Sequence, residues 1–144
     1  MNMLIGMVML VVGLLIFGHG LHMEMLWVLL TFPALAILVA GVSLCLSSLG
    51  VYFRDLAQLI GLLTTLWMYA TPILYAEEMV PDYFLPILRS NPLTHLVNFN
   101  RDALFWGVTP NLMFLVWFYV VAAIVFIAGF YIFGKLKRGF ADVL

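Results

Sequence analysis

Residues 25–76 read MLWVLLTFPALAILVAGVSLCLSSLGVYFRDLAQLIGLLTTLWMYATPILYA, and in that stretch only Arg54 and Asp55 carry charge. A single membrane crossing centred on the pair is excluded by its cost, because an Arg at the bilayer centre costs about 2.5 to 3.5 kcal/mol even on lenient insertion scales. As one helix the stretch would extend roughly 78 Å at 1.5 Å per residue, against about 30 Å of hydrocarbon. It therefore holds two crossings, and Arg54 and Asp55 mark the turn between them at a membrane surface.

The rest of the chain agrees. It is 66% hydrophobic and 9% charged, with a mean hydropathy of +1.17, the composition of an integral membrane protein rather than of a soluble domain with a large core. A net charge of −1, with basic residues scattered except near the C-terminus, leaves no electrostatic footprint for nucleic acid. Cys45 is the single cysteine, so no internal disulfide forms, and in its apolar run it reads as a small packing residue.

Four crossings are expected, at about 1–21, 26–49, 56–76 and 111–134, making an all-α polytopic helix bundle in one membrane domain. The first run is not a secretory signal, which needs a basic leading region; the first basic residue here is Arg54. Pro33 is tolerated in the second span as a kink if a neighbouring helix satisfies the freed carbonyl. Ala36, Ala40, Ser43, Ser47 and Gly50 recur at helical spacing along that span and predict a stripe where another helix approaches closely. Pro72 predicts a kink or helix end where the third span exits.

Residues 77–110 are the region rich in polar side chains and predict an external re-entrant or amphipathic helical hairpin. Asn91 before Pro92 is a helix start, a capping side chain followed by proline at the first helical position. Leu93, Leu96, Val97 and Leu104 give that helix an apolar side, and it is too short and too charged to span. Thr109 and Pro110 repeat the signal ahead of the fourth span. Lys135, Lys137 and Arg138 close that span, and a basic cluster beside a span end predicts the cytoplasmic side. The 135–144 tail is then inside, the Arg54 turn and the N-terminus also inside, and the hairpin outside.

Several chemical readings fail on context. Gly129, Gly134 and Lys135 have the spacing of a phosphate loop, but Leu136 replaces the metal-binding hydroxyl and no strand precedes them. His19, His22, Glu24 and His95 have no fixed ligand spacing, so no metal site is expected. Ser90, His95 and Asp102 lack any nucleophile elbow. The spans carry no ionisable relay, which disfavours an ion-coupled carrier. They do carry aromatic rings near their outer halves, Trp67, Tyr69 and Tyr75 in the third and Trp117, Phe118 and Tyr119 in the fourth. Such rings suit interfacial anchoring and packing, and their faces also suit stacking on a sugar.

Taken in order, Tyr52-Phe53-Arg54-Asp55-Leu56 before a span, Tyr69-Ala70-Thr71-Pro72-Ile73-Leu74-Tyr75 at its exit, Asn91-Pro92-Leu93 with Arg101 in the external hairpin, and Phe140-Ala141-Asp142 after the basic cluster resemble the permease subunit of type-2 ABC exporters for bacterial surface polysaccharides. The resemblance implies a transport subunit of the bacterial inner membrane with no catalytic residue or cofactor of its own. ATP and Mg would be handled by two separate ATP-binding subunits, beside a second permease copy, and the cargo would be a lipid-linked glycan such as an O antigen, capsule or teichoic acid precursor. It implies an ATPase-facing loop at Tyr52, Arg54 and Asp55, an external gate at Pro72, Asn91, Pro92 and Arg101, and a substrate path past Trp67, Tyr69 and Tyr75. Permeases of that group have about six spans, so the four here would correspond to spans three to six of a longer protein, with two N-terminal spans lacking. The same fold would also suit a drug or lipid exporter, and a shortened chain would suit a non-transporting membrane scaffold.

Overall fold

The computed structural model describes Met9, Gly13 and residues 23–53, 55–109 and 111–137, with Glu78 by its backbone alone. The expected first span apart from Met9 and Gly13, and also Arg54, Pro110 and the tail beyond Lys137, lie outside the described residues. Every regular element among the described residues is helical. They are α1 (Met25–Gly50), α2 (Leu56–Tyr69), a 3-10 turn (Glu77–Met79), α3 (Leu85–Ser90), α4 (Pro92–Arg101), a π-helical turn (Asp102–Trp106) and α5 (Leu112–Leu136).

Two of these are long and apolar enough to cross a membrane. Helices α1 and α5 have 26 and 25 residues, about 39 and 38 Å of helix against about 30 Å of hydrocarbon. Of their most apolar windows only 17% and 22% is buried within the chain, so most of their apolar surface faces outward, unlike a core helix of a soluble protein. Helix α2 has 14 residues, none of them buried, and at about 21 Å it is shorter than a full crossing.

α1 and α5 run parallel. Tyr119 Oη donates to Leu30 O at 2.7 Å near one end, Gly41 and Gly129 meet in the middle, and Tyr52 Oη donates to Leu136 O at 3.1 Å at the other end. Parallel neighbours need a return path between them, which α2 and the 77–109 segment supply. The turn after α1 and the basic end of α5 consequently share one end of the pair, and the hairpin occupies the opposite end.

Backbone contact sets the seam. A Cβ on Gly41 would lie 2.6 Å from Phe126 Cα, and one on Gly129 would collide with the Gly41 carbonyl, so only glycine lets the helices approach this closely. Ala34, Gly41 and Ser48 repeat every seven residues on α1 and are buried, opposite Phe118, Ala122 and Gly129 on α5. The expected small-residue stripe is displaced: Ala36, Ala40, Ser43, Ser47 and Gly50 are all exposed. Two stripes of small residues lie on α1, and the one lacking a Cβ at its midpoint is the one that a glycine on α5 matches. Pro33 does not break α1. The Tyr119 bond lands on Leu30 O, one residue from the Leu29 carbonyl that Pro33 leaves without a donor.

The start of α5 corrects a second expectation. Asn111, not Thr109, is its cap, with Oδ1 accepting from Met113 N at 3.1 Å and Phe114 N at 3.4 Å. Its backbone is extended (φ −70, ψ 98), the conformation a cap requires, and Asn caps at least as well as Thr.

Candidate functional site

Where α2 ends, the chain turns inward. Tyr69 is its last helical residue and Ala70 N closes it on Leu66 O at 2.9 Å. Thr71 and Pro72 follow as buried residues, which is where the proline was expected to end the helix. Thr71 Oγ1 donates back to Trp67 O at 2.9 Å and accepts from Asn91 Nδ2 at 2.9 Å, so both roles of the hydroxyl are filled.

Asn91 joins three segments. Its extended backbone (φ −81, ψ 118) ends α3 and starts α4, its Oδ1 accepts from Leu93 N at 3.0 Å, and its Nδ2 reaches Ala70 O at 3.2 Å as well as Thr71. Pro92 occupies the first helical position, where a missing N–H costs nothing. Ten residues on, Arg101 Nη2 donates to Pro72 O at 3.0 Å and makes a longer contact of 3.5 Å to Tyr75 O. Of the four residues expected at an external gate, Asn91 and Arg101 thus both bond to the segment 70–75 that contains Pro72, making a hydrogen-bonded knot, and Pro92 starts the helix that joins them.

A third tie was not foreseen. Glu77 accepts from Arg89 Nε at 2.6 Å and from Asn98 Nδ2 at 2.9 Å, and the Arg89 hydrogen bond, followed by that from Asn98, outweighs partial burial and holds the Glu77 carboxyl below its ordinary value. His95 Nε2 donates to Arg89 O at 2.8 Å, a carbonyl being able only to accept. Glu77 and Arg89 are twelve residues apart and separated by Pro81 and Pro86, so no helical or strand spacing in the sequence signals their meeting. Leu96 of α4, 4% exposed, packs with Ala34 of α1 and Phe118 of α5, and the equally buried Phe99 lies beside Phe114 with ring centroids 6.4 Å apart.

The remaining expected residues are dispersed. Trp67 and Tyr69 sit on α2 with exposed rings, and Tyr75 Oη donates to Tyr69 O at 2.7 Å, drawing these two tyrosines toward the knot without Trp67. Tyr52 is at the opposite end of the α1/α5 pair, its hydroxyl on Leu136 O. Asp55 is exposed at the start of α2 and makes no side-chain capping bond.

Between α4 and the beginning of α5 lies an open cleft of about 600 Å³. Phe114 is its aromatic centre, with ring centroids 5.5 Å from His95, 5.8 Å from Trp117 and 6.4 Å from Phe99. Ser90, His95 and Asp102 all line it, but Ser90 Oγ donates to Ile87 O and His95 to Arg89 O, so they form no catalytic relay. Asp102 opens the π-helical turn that Gly107 closes with φ 56. Such turns recur at functional sites.

The sequence profile of the ABC-2 type transporter family matches residues 1–105. The chain belongs to that family. The matched stretch of this ABC-2 chain takes in the α1–α2 turn and the knot. Similarity to individual proteins extends further, into α5. The chain is 36% identical over 138 residues, 93% of its length, to the O-antigen export system permease protein RfbA of Klebsiella pneumoniae, and 25% identical over 135 residues, 90% of its length, to the protein of that name from Myxococcus xanthus. A second Klebsiella pneumoniae RfbA is 35% identical over 133 residues. The chain spans about half the length of these relatives, 52%, 51% and 52% respectively. The relatives are permeases, transport components rather than ATPases.

Proposed function

We propose that this ABC-2 chain is part of the membrane-spanning permease subunit of an ATP-driven exporter that moves a lipid-linked polysaccharide across the bacterial inner membrane. The observation that carries the reading is the similarity, over 93% of the chain, to an O-antigen export permease. The complex would contain a second permease copy and two ATP-binding subunits that hold ATP and Mg. Four crossings, with the N- and C-termini in the cytoplasm, complete the topology. The shared end of the Tyr52 turn and the α5 terminus supports a single cytoplasmic surface for ATPase contact, built from Tyr52, Arg54 and Asp55.

On this reading the hairpin knot is the external gate. Its bonds run from side chains to backbone carbonyls and to other side chains, none of them across the α1/α5 seam, so opening exchanges them for water rather than breaking that seam. Trp67, Tyr69 and Tyr75 would form the stacking path for sugar rings. The test is made in the host: disrupting the reading frame should abolish surface polysaccharide and leave lipid-linked glycan on the cytoplasmic side, and an affinity-tagged chain should retain an ATP-binding subunit. Unchanged surface polysaccharide in the disrupted strain would refute the proposal.

A further inference from the structure

The cleft between α4 and α5 has unspent chemistry. Its volume of about 600 Å³ lies within the roughly 300–1,000 Å³ of small-ligand sites, and one wall is Trp117, half exposed and supported by the Phe114 ring at 5.8 Å. Around that indole stand polar groups that intrachain bonds leave available among the described residues. The Asp102 carboxylate makes no side-chain bond, Asn111 spends its Oδ1 on the cap and keeps its Nδ2, and Arg89 spends Nε on Glu77 and keeps its terminal nitrogens. His95 spends Nε2 on Arg89 O and keeps Nδ1.

The cleft lining therefore offers both donors and acceptors along with an aromatic ring, which matches hydroxyl groups, each able to donate and accept, on a ring with an apolar side. A phosphate or carboxylate fits poorly: Arg89 is the one fixed cation lining the cleft among the described residues, it is already paired with Glu77, and Asp102 would repel an anion. We propose that this cleft is a binding subsite for a neutral pyranose ring, stacked on Trp117 and hydrogen-bonded by Asp102, Asn111 and Arg89, on the external face of the permease. The assignment rests on the exporter reading for its biological meaning, since a glycan leaving a gate built from the α2 exit and α4 would meet the cleft beside α4 next.

The full chain in lipid nanodiscs, probed by saturation-transfer NMR with maltotriose, mannotriose and chitotriose, provides the test. At least one neutral trisaccharide should receive saturation at its ring protons. Trp117→Leu, which keeps apolar bulk but loses the face, should weaken that contact about tenfold, and Asp102→Asn should weaken it severalfold. Trp106→Leu, outside the cleft, should leave it unchanged, and unaltered helical circular dichroism should exclude misfolding in each variant. No transfer from any of the three sugars, full transfer to Trp117→Leu, or displacement by inorganic phosphate would overturn the subsite. If sugar contact fails while gene disruption still abolishes surface polysaccharide, only the subsite falls. If sugar contact holds while disruption leaves the polysaccharide intact, only the exporter reading falls.

Discussion

The α1/α5 seam and the 77–109 segment are held by different mixtures of force. At the seam, Gly41 and Gly129 bring backbones into contact and the buried side chains are mostly small. In a membrane such packing depends on van der Waals fit, because lipid is as apolar as the helices. The 77–109 segment has apolar packing too, through Leu96 on Ala34 and Phe118, but adds discrete polar bonds from Asn91, Arg101 and Glu77. A steric seam cannot open by degrees, whereas a polar knot near water can exchange its partners. On the gate reading proposed above, α1 and α5 are the fixed post and residues 77–109 the part that moves.

Gly129→Leu attacks the post and should have the largest effect. The added side chain meets the Gly41 carbonyl, and overpacking of about 1–3 kcal/mol for small insertions becomes more with no room to adjust. Thermal unfolding in detergent should lose its main transition or shift well downward. Arg101→Ala attacks the knot. Loss of a part-buried charged donor from Pro72 O costs about 1.5–3 kcal/mol locally, so proteolysis of residues 77–90 should accelerate while the main unfolding transition stays within a few degrees.

Asn91→Ala should follow closely, at about 1–2 kcal/mol, since it removes the cap and leaves the Thr71 hydroxyl short of a donor; Asn91→Asp should restore the cap but not the bonds to Ala70 and Thr71. The smallest effect is that of acid. Because the Glu77 carboxyl is held below its ordinary 4.5, its stabilisation is complete above that value and is lost as pH falls through the lower folded one. With Arg89 largely exposed, about 0–1 kcal/mol is at stake. Protease sensitivity of the hairpin should rise only in that acid window, and Glu77→Gln should abolish the dependence.

What could be read beforehand follows the same division. Asn91-Pro92 announces its cap because both residues act within one turn of chain, and Pro72 marks the end of α2 for the same local reason. The Glu77–Arg89–Asn98 tie was illegible, being made by folding across two prolines. The seam was half legible: small residues on α1 promised a close approach, but choosing Ala34, Gly41 and Ser48 over the stripe from Ala36 to Gly50 required knowing where Gly129 lies. Thr109-Pro110 misled because Asn111, just beyond, caps at least as well. Trp117 was visible only as an outer-half aromatic, and nothing in the spacing linked it to Asp102.

Hydrogen exchange read by mass spectrometry on the chain in nanodiscs tests the division most directly. Amides of 34–48 and 118–129 should be strongly protected while those of 77–109 exchange orders of magnitude faster, and Arg101→Ala should speed exchange in the second set alone. Equal protection of the two regions, or a change in the helices when only Arg101 is replaced, would contradict a fixed post carrying a movable gate.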